Sequence, residues 1–226
     1  MPVVSLNKIV TGESLPLLAA SGRTAEFQKL LGSRMWPPEV LFQCLCNAAK
    51  AGRLNTTREL LACGVPADRA DANGLTPLLA ACEYNGTCDE VVLELLARGA
   101  NIHHSDSFGY QPLHAAVTAG EPQVVRLLLE RRAALDHKDR EGDTPLDLAQ
   151  LYSVEPHPRG HDHLRAAVLS LLREAWSRRA CMLARWQKVR DAVAVRPAAL
   201  HWLEEVQRRG LTNLPYGLPT AIHGLL

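Results

Sequence analysis

The chain has 226 residues, 47% hydrophobic and 22% charged, which excludes a disordered polymer and leaves length for one large core or two small ones. Its 25 basic and 24 acidic side chains sum to +1, which excludes the strongly basic balance of a bulk nucleic-acid binder. Aromatic residues make up only 5% while Ala and Leu dominate, a mixture that favours helix over sheet.

The first twenty residues, MPVVSLNKIVTGESLPLLAA, have no basic start followed by a long apolar run, so no secretory leader is expected. No uninterrupted apolar stretch approaches eighteen residues, so no membrane span is expected either. Cys44, Cys46, Cys63, Cys82, Cys88 and Cys181 lack paired CxxC spacing and read as small hydrophobes in a reducing compartment. The expected location is cytoplasmic, with nuclear or cytoskeletal sites as alternatives. The N-x-T matches at Asn55 and Asn85 are then accidental.

Next along the chain, LPLLAASGRTAEFQKLLG and LCNAAKAGRLNTTRELLACGVPADRAD each join a small-residue segment to a Leu-rich one through a Gly. The same plan sharpens in GLTPLLAACEYNGTCDEVVLELLARGANIHHSD from Gly74 and GYQPLHAAVTAGEPQVVRLLLERRAALDHKD from Gly109. A third start, GDTPLDLAQLY, follows at Gly142, and Pro77, Pro112 and Pro145 stand 35 and 33 residues apart. Each Pro suits the first turn of a helix, where its missing N–H removes no bond. The paired alanines allow close helix approach, and the Val-Val and Leu-Leu pairs place apolar groups at i, i+3 and i+4. Gly99 suits a left-handed helix stop; the matching residue one unit later is Arg132, which must adopt a costly φ or end its helix differently.

The motifs TPLLAA, QPLHAA and TPLDLA, in phase with the Gly turn and the VVxLLL helix, make the chain resemble the ankyrin-repeat family. The resemblance covers about residues 14–173 in some five units, the first two and the last divergent. It implies an all-α solenoid of stacked helix-turn-helix units with a C-terminal helical extension. The domain plan is an N-terminal segment (1–13), a repeat domain (14–173), and an extension with an apolar tail (174–226).

The last unit departs most. QLYSVEPHPRGHDH intervenes before LRAAVLSLL, and from His161 to Arg196 there is no Gly or Pro, so a helix that Asp162 can cap is expected to run out of the array. One stripe on it comprises Leu169, Leu172, Trp176, Ala180 and Leu183; a rotated one comprises Met182, Trp186, Val189 and Val193. Two stripes predict cover on two sides, by the last repeat and by a final helix from Pro197 to Gly210. From Glu174 onward eight Lys or Arg face four acids, and the terminal LTNLPYGLPTAIHGLL is apolar.

The densest run of ligand-type residues, His157, His161 and His163 with Asp162, reads as a solvated loop, and no metal or other cofactor is expected. There is no nucleophile elbow, phosphate loop or HExxH, so the chain is read as non-enzymatic with no small-molecule substrate. His114 sits at the family's TPLH position, where the resemblance implies that the imidazole bridges neighbouring backbones.

The resemblance also implies that variable positions beside the motif contact a protein partner. Here those are Asn73, Leu75, Tyr84, His104, Ser107, Phe108, Tyr110, Thr118, Arg140, Glu141, Asp143 and Tyr152. Phe108, Tyr110, Tyr84 and Tyr152 are expected to form an aromatic row, unless Phe108 and Tyr110 fold onto the adjacent loop. The expected function is an adaptor with a second surface on the C-terminal helices. The alternatives are a structural subunit of a larger complex and, behind it, a nucleic-acid-associated regulator.

Overall fold

The computed structural model describes residues 14–32, 35–83, 89–154 and 162–193, and every regular element among them is an α-helix. The chain divides into two compact units, Met1–Arg173 and Glu174–Leu226. In the first unit the helices come in pairs: α1 (Ser14–Ser21) with α2 (Thr24–Leu31), α3 (Pro38–Lys50) with α4 (Leu54–Ala62), and α5 (Pro77–Cys82) with α6 (Asp89–Ala97). The pairs α7 (Pro112–Ala119) and α8 (Pro122–Glu130), then α9 (Pro145–Val154) and α10 (Asp162–Val193), follow. First helices α1, α3, α5, α7 and α9 pack on one another in order, and α2, α4, α6 and α8 form a second row behind them.

Composition dictates this two-layer stack. Ala48, Ala49, Ala80, Ala81, Ala115 and Ala116 are buried where neighbouring first helices meet, and small side chains are what let the backbones approach. Behind them Val91, Val92 and Leu95 of α6 and Val124, Val125 and Leu128 of α8 are buried at helical spacing. Burying each such side chain contributes about 1.5–3 kcal/mol, but a single pair has no partner for that face, so the units stabilise one another along the stack.

Local signals set the helix ends. Pro77 and Pro112 stand in the first turns of α5 and α7, and Thr76 Oγ1 accepts the Leu79 N–H at 3.2 Å. Thr144 and Asp147 cap α9 reciprocally: Thr144 Oγ1 accepts the Asp147 N–H at 3.3 Å and Asp147 Oδ2 accepts the Thr144 N–H at 3.0 Å. Gly99 stops α6 at φ 87°. At the equivalent position after α8, Arg132 takes the left-handed φ of 66° rather than ending the helix another way.

The α3 helix breaks the pattern. It has 13 residues against 6 in α5, because it begins at Pro38 rather than at the position of the missing Thr-Pro. α10 begins at Asp162 and runs 32 residues, with Val168 and Leu172 buried. Further along, Leu183 is 59% and Met182 44% exposed. The final helix expected at 197–210 and the tail lie outside the described residues, as do His157 and His161.

Two substitutions test this account. Arg132→Gly removes a left-handed cost of about 1–2 kcal/mol, partly offset by the freer unfolded chain, and should stabilise by about 0.5–1 kcal/mol in urea unfolding. Thr56 and Thr57 occupy the Val-Val position in α4, fully buried, and their hydroxyls have no hydrogen-bond partner among the described residues. Thr57→Val should therefore stabilise by about 1 kcal/mol; an unchanged or lower urea midpoint would contradict it.

Candidate interaction surface

Three hairpin turns join successive units, and one aspartate organises each. Asp71 Oδ1 accepts the N–H groups of Asn73 and Leu75, both at 2.8 Å. Asp106 does the same for Phe108 and Tyr110 at 2.8 Å, and Asp139 for Glu141 and Asp143 at 2.9 Å. In each turn the Asp N–H donates to the carbonyl four residues on, and the Gly N–H donates back to the Asp carbonyl. A carboxylate taking two backbone N–H groups satisfies a tight turn without help from the neighbouring unit.

The turns are then bonded to one another. The Ser107 N–H donates to Asn73 O at 2.8 Å, and the Arg140 N–H to Phe108 O at 3.0 Å. The approach is so close that a Cβ on Gly74 would lie 2.9 Å from Asp106 Cα, and one on Gly109 2.9 Å from Arg140 N. Side chains reinforce the ladder: His104 Nε2 lies 3.0 Å from Gly74 O, Gln111 Nε2 donates to His103 O at 3.0 Å, and His137 Nε2 lies 3.2 Å from Ser105 Oγ.

His114 is the most enclosed of these groups, buried at 0% exposure. Its Nδ1 accepts the Gln111 N–H at 3.2 Å, which leaves Nε2–H to donate to His137 O, also 3.2 Å away. Burial, with His137 nearby, pushes its pKa below the ordinary 6.5. The ring stacks on Tyr110 at 5.7 Å and meets His137 edge-on at the same distance.

These bonds sort the sequence-predicted contact residues. Phe108 stands 69% exposed, while Tyr110 lies down on His114 and is half-buried. Tyr152, also half-buried, carries the Arg165 guanidinium 5.4 Å from its ring centre, and its carbonyl accepts from Arg165 Nη1 at 2.9 Å. An evenly exposed aromatic row is therefore not what the described members form; Tyr84 lies outside the described residues. His104 is engaged in the ladder, Ser107 lends it an N–H, and the Thr118 hydroxyl donates to Ala115 O at 2.8 Å. Asn73, Arg140 and Glu141 are exposed; Leu75 and Asp143 are half-buried.

Sequence reasoning missed a groove of about 550 Å³ between the early-starting part of α3 and the first hairpin. Val40, Phe42, Cys46 and Leu75 supply apolar lining, with Glu39, Gln43 and Arg69 also around it. The Arg69 guanidinium sits 5.2 Å from the Phe42 ring centre and pairs with Glu39 at 3.3 Å. Glu39's own backbone N–H, followed by Arg69, holds its carboxyl below the ordinary carboxylate value. The available signal was Pro37-Pro38, a helix start nearly three turns ahead of the Ala-Ala pair.

Two family models match, both described as ankyrin repeats: one of three copies over residues 17–106 and one of many copies over residues 95–149. They overlap and run without a gap from residue 17 to residue 149. The chain belongs to the ankyrin-repeat family. Among similar proteins, ankyrin repeat and SOCS box protein 11 of Danio rerio is 36% identical over 53% of this chain and 40% of its own length. The tyrosine-protein kinase HTK16 of Hydra vulgaris is 36% identical over 41% of this chain and 12% of its own. Ankyrin repeat-containing protein P1E11.10 of Schizosaccharomyces pombe is 32% identical over 41% of this chain and 49% of its own. The chain thus matches less than half the length of each.

Among the described residues no helix is long and apolar enough to cross a membrane, and no three His, Cys, Asp or Glu side chains are placed to hold a metal ion. Burial pushes the thiols of Cys44 and Cys46 up to about 12, which removes them as nucleophiles at neutral pH.

Gly109→Ala places a methyl against the next turn at φ 84° and should cost roughly 2–4 kcal/mol in thermal or urea unfolding. The buried His114 resists protonation that the unfolded chain accepts. Its contribution is complete above pH 6.5 and declines as pH falls from 6.5 toward the lower folded value. The urea midpoint should fall between pH 7.5 and pH 5.5, and less steeply in His114→Gln, which has no group to titrate; equal slopes would contradict this.

Proposed function

We propose that the ankyrin stack is a non-enzymatic interaction module that holds a protein partner along its hairpin tips and first-helix face. The observation that carries this reading is Phe108: a large aromatic side chain 69% exposed, on a backbone bonded to both neighbouring turns. Its N–H is held by Asp106 and its carbonyl by Arg140, so the ring is presented to solvent without loop freedom to lose on binding. Exposed Asn73, Arg140 and Glu141 on the neighbouring tips, with exposed Leu151 on α9, add mixed chemistry suited to a partner protein. Half-buried Tyr110, Tyr152, Leu75 and Asp143 form the edge of the same surface.

A second reading, as a part of a larger assembly, is favoured by α10. Met182 and Leu183 are exposed there beside Arg178 and Arg185, a mixed apolar and basic face available to a second partner. The two readings combine in an adaptor that holds one partner on the stack and another on α10. A reducing compartment such as the cytoplasm suits the thiols of this chain.

Affinity capture from cell extract, comparing the intact chain, Phe108→Ala and a chain ending at Arg173, tests both surfaces. Phe108→Ala should shed one set of captured proteins with an unchanged melting temperature, and the shortened chain a different set. If neither set changes, both surfaces are wrongly assigned.

A further inference from the structure

The groove between α3 and the first hairpin is built unlike the rest of the tip row. The second and third hairpin tips are each preceded by another hairpin; the first is preceded by the early-starting part of α3, whose side chains face the turn across open space of about 550 Å³. That volume admits two or three side chains of an incoming segment. Val40, Phe42, Cys46 and Leu75 make the lining apolar, and half-buried Leu75 packs against the Phe42, Cys46 and Ala80 cluster.

Charge narrows what fits. Arg69, the one cation lining the groove among the described residues, is spent on Glu39 at 3.3 Å and on the Phe42 ring, so it offers little to an acidic ligand. Along the three hairpins, residues 66–76, 101–111 and 134–144, seven carboxylates (Asp68, Asp71, Asp106, Asp136, Asp139, Glu141 and Asp143) face three cations. The tip-to-tip backbone bonds hold the three hairpins side by side next to the groove, and of the seven only Asp139 is buried. In Asp71 and Asp106 one oxygen accepts the turn's own N–H groups, which fixes each carboxylate at its tip. A polyanion would be repelled by such a row.

Resting on the interaction reading above, we propose that this groove is the anchor subsite for a basic, extended segment of the protein partner. One large apolar side chain enters between Val40, Phe42 and Leu75, and flanking Lys or Arg side chains lie along the acidic hairpin tips. The apolar anchor supplies affinity, and the charges supply direction and speed of association, weakened by salt.

The test uses a random peptide library displayed against the full chain, followed by fluorescence anisotropy on the selected peptides as synthetic probes. Selected sequences should carry one large apolar residue flanked by Lys or Arg. Gln43 is exposed at the rim, so its substitutions report charge rather than folding. Gln43→Lys should weaken binding about two- to fivefold and Gln43→Glu strengthen it by a similar factor. Leu75→Asp should weaken it tenfold or more while thermal unfolding shows the stack intact. No selection, an acidic or charge-free consensus, or affinities blind to the sign at position 43 would overturn the proposal. Peptides that lose binding in Phe108→Ala but not in the groove variants would leave the interaction reading standing and sink the groove. Peptides indifferent to both would sink the two together.

Discussion

One carboxylate per turn governs the stack. Asp71, Asp106 and Asp139 each accept two backbone N–H groups of their own hairpin, and this makes the hairpin a fixed object before it meets its neighbour. Rigid turns can then be bonded tip to tip, through Asn73 O to Ser107 N–H and Phe108 O to Arg140 N–H. The spacing of those bonds sets how closely one unit sits on the next. The alanines of the first helices and the Val and Leu of the second helices are sized to that spacing, so backbone geometry and core packing agree.

The same economy explains which polar residues are spent and which remain. His114 closes the Gln111 N–H and the His137 carbonyl, His104 reaches Gly74 O, and Tyr110 lies on the His114 ring. His104 and Tyr110 read as contact residues from sequence alone, whereas His114 does not. Each is largely committed to holding turns together, because a buried or half-buried polar atom left unpaired costs more than a surface contact returns. Phe108, Asn73, Arg140 and Glu141, by contrast, keep their side chains exposed.

That groove exists because one unit fails to follow the pattern. Where the other units carry a hairpin and a Thr-Pro start, α3 starts early at Pro38 and brings Glu39, Val40, Phe42 and Gln43 opposite the first hairpin. A departure from the repeat leaves a concavity that perfect repetition would fill with the next turn. In a solenoid, loss of consensus is therefore a place to look for specificity as well as a sign of decay.

The sequence by itself determined the helical class, the phase of the units, the proline starts, the burial of the paired alanines and the scaffold duty of His114. The role of His114 is what the family resemblance implies; the others follow from local spacing or from a motif repeated in register, and periodicity survives without three-dimensional context. Tertiary structure decided the rest. Phe108 and Tyr110 are two residues apart in one turn, yet one projects and the other lies down, because only Tyr110 has the His114 ring beside it. Local sequence leaves Arg132 two ways to end its helix, and the packed chain takes the left-handed φ. The groove was hidden for the same reason: which side chains face one another across a turn depends on where α3 begins relative to its neighbour, a distance in space that sequence spacing does not encode.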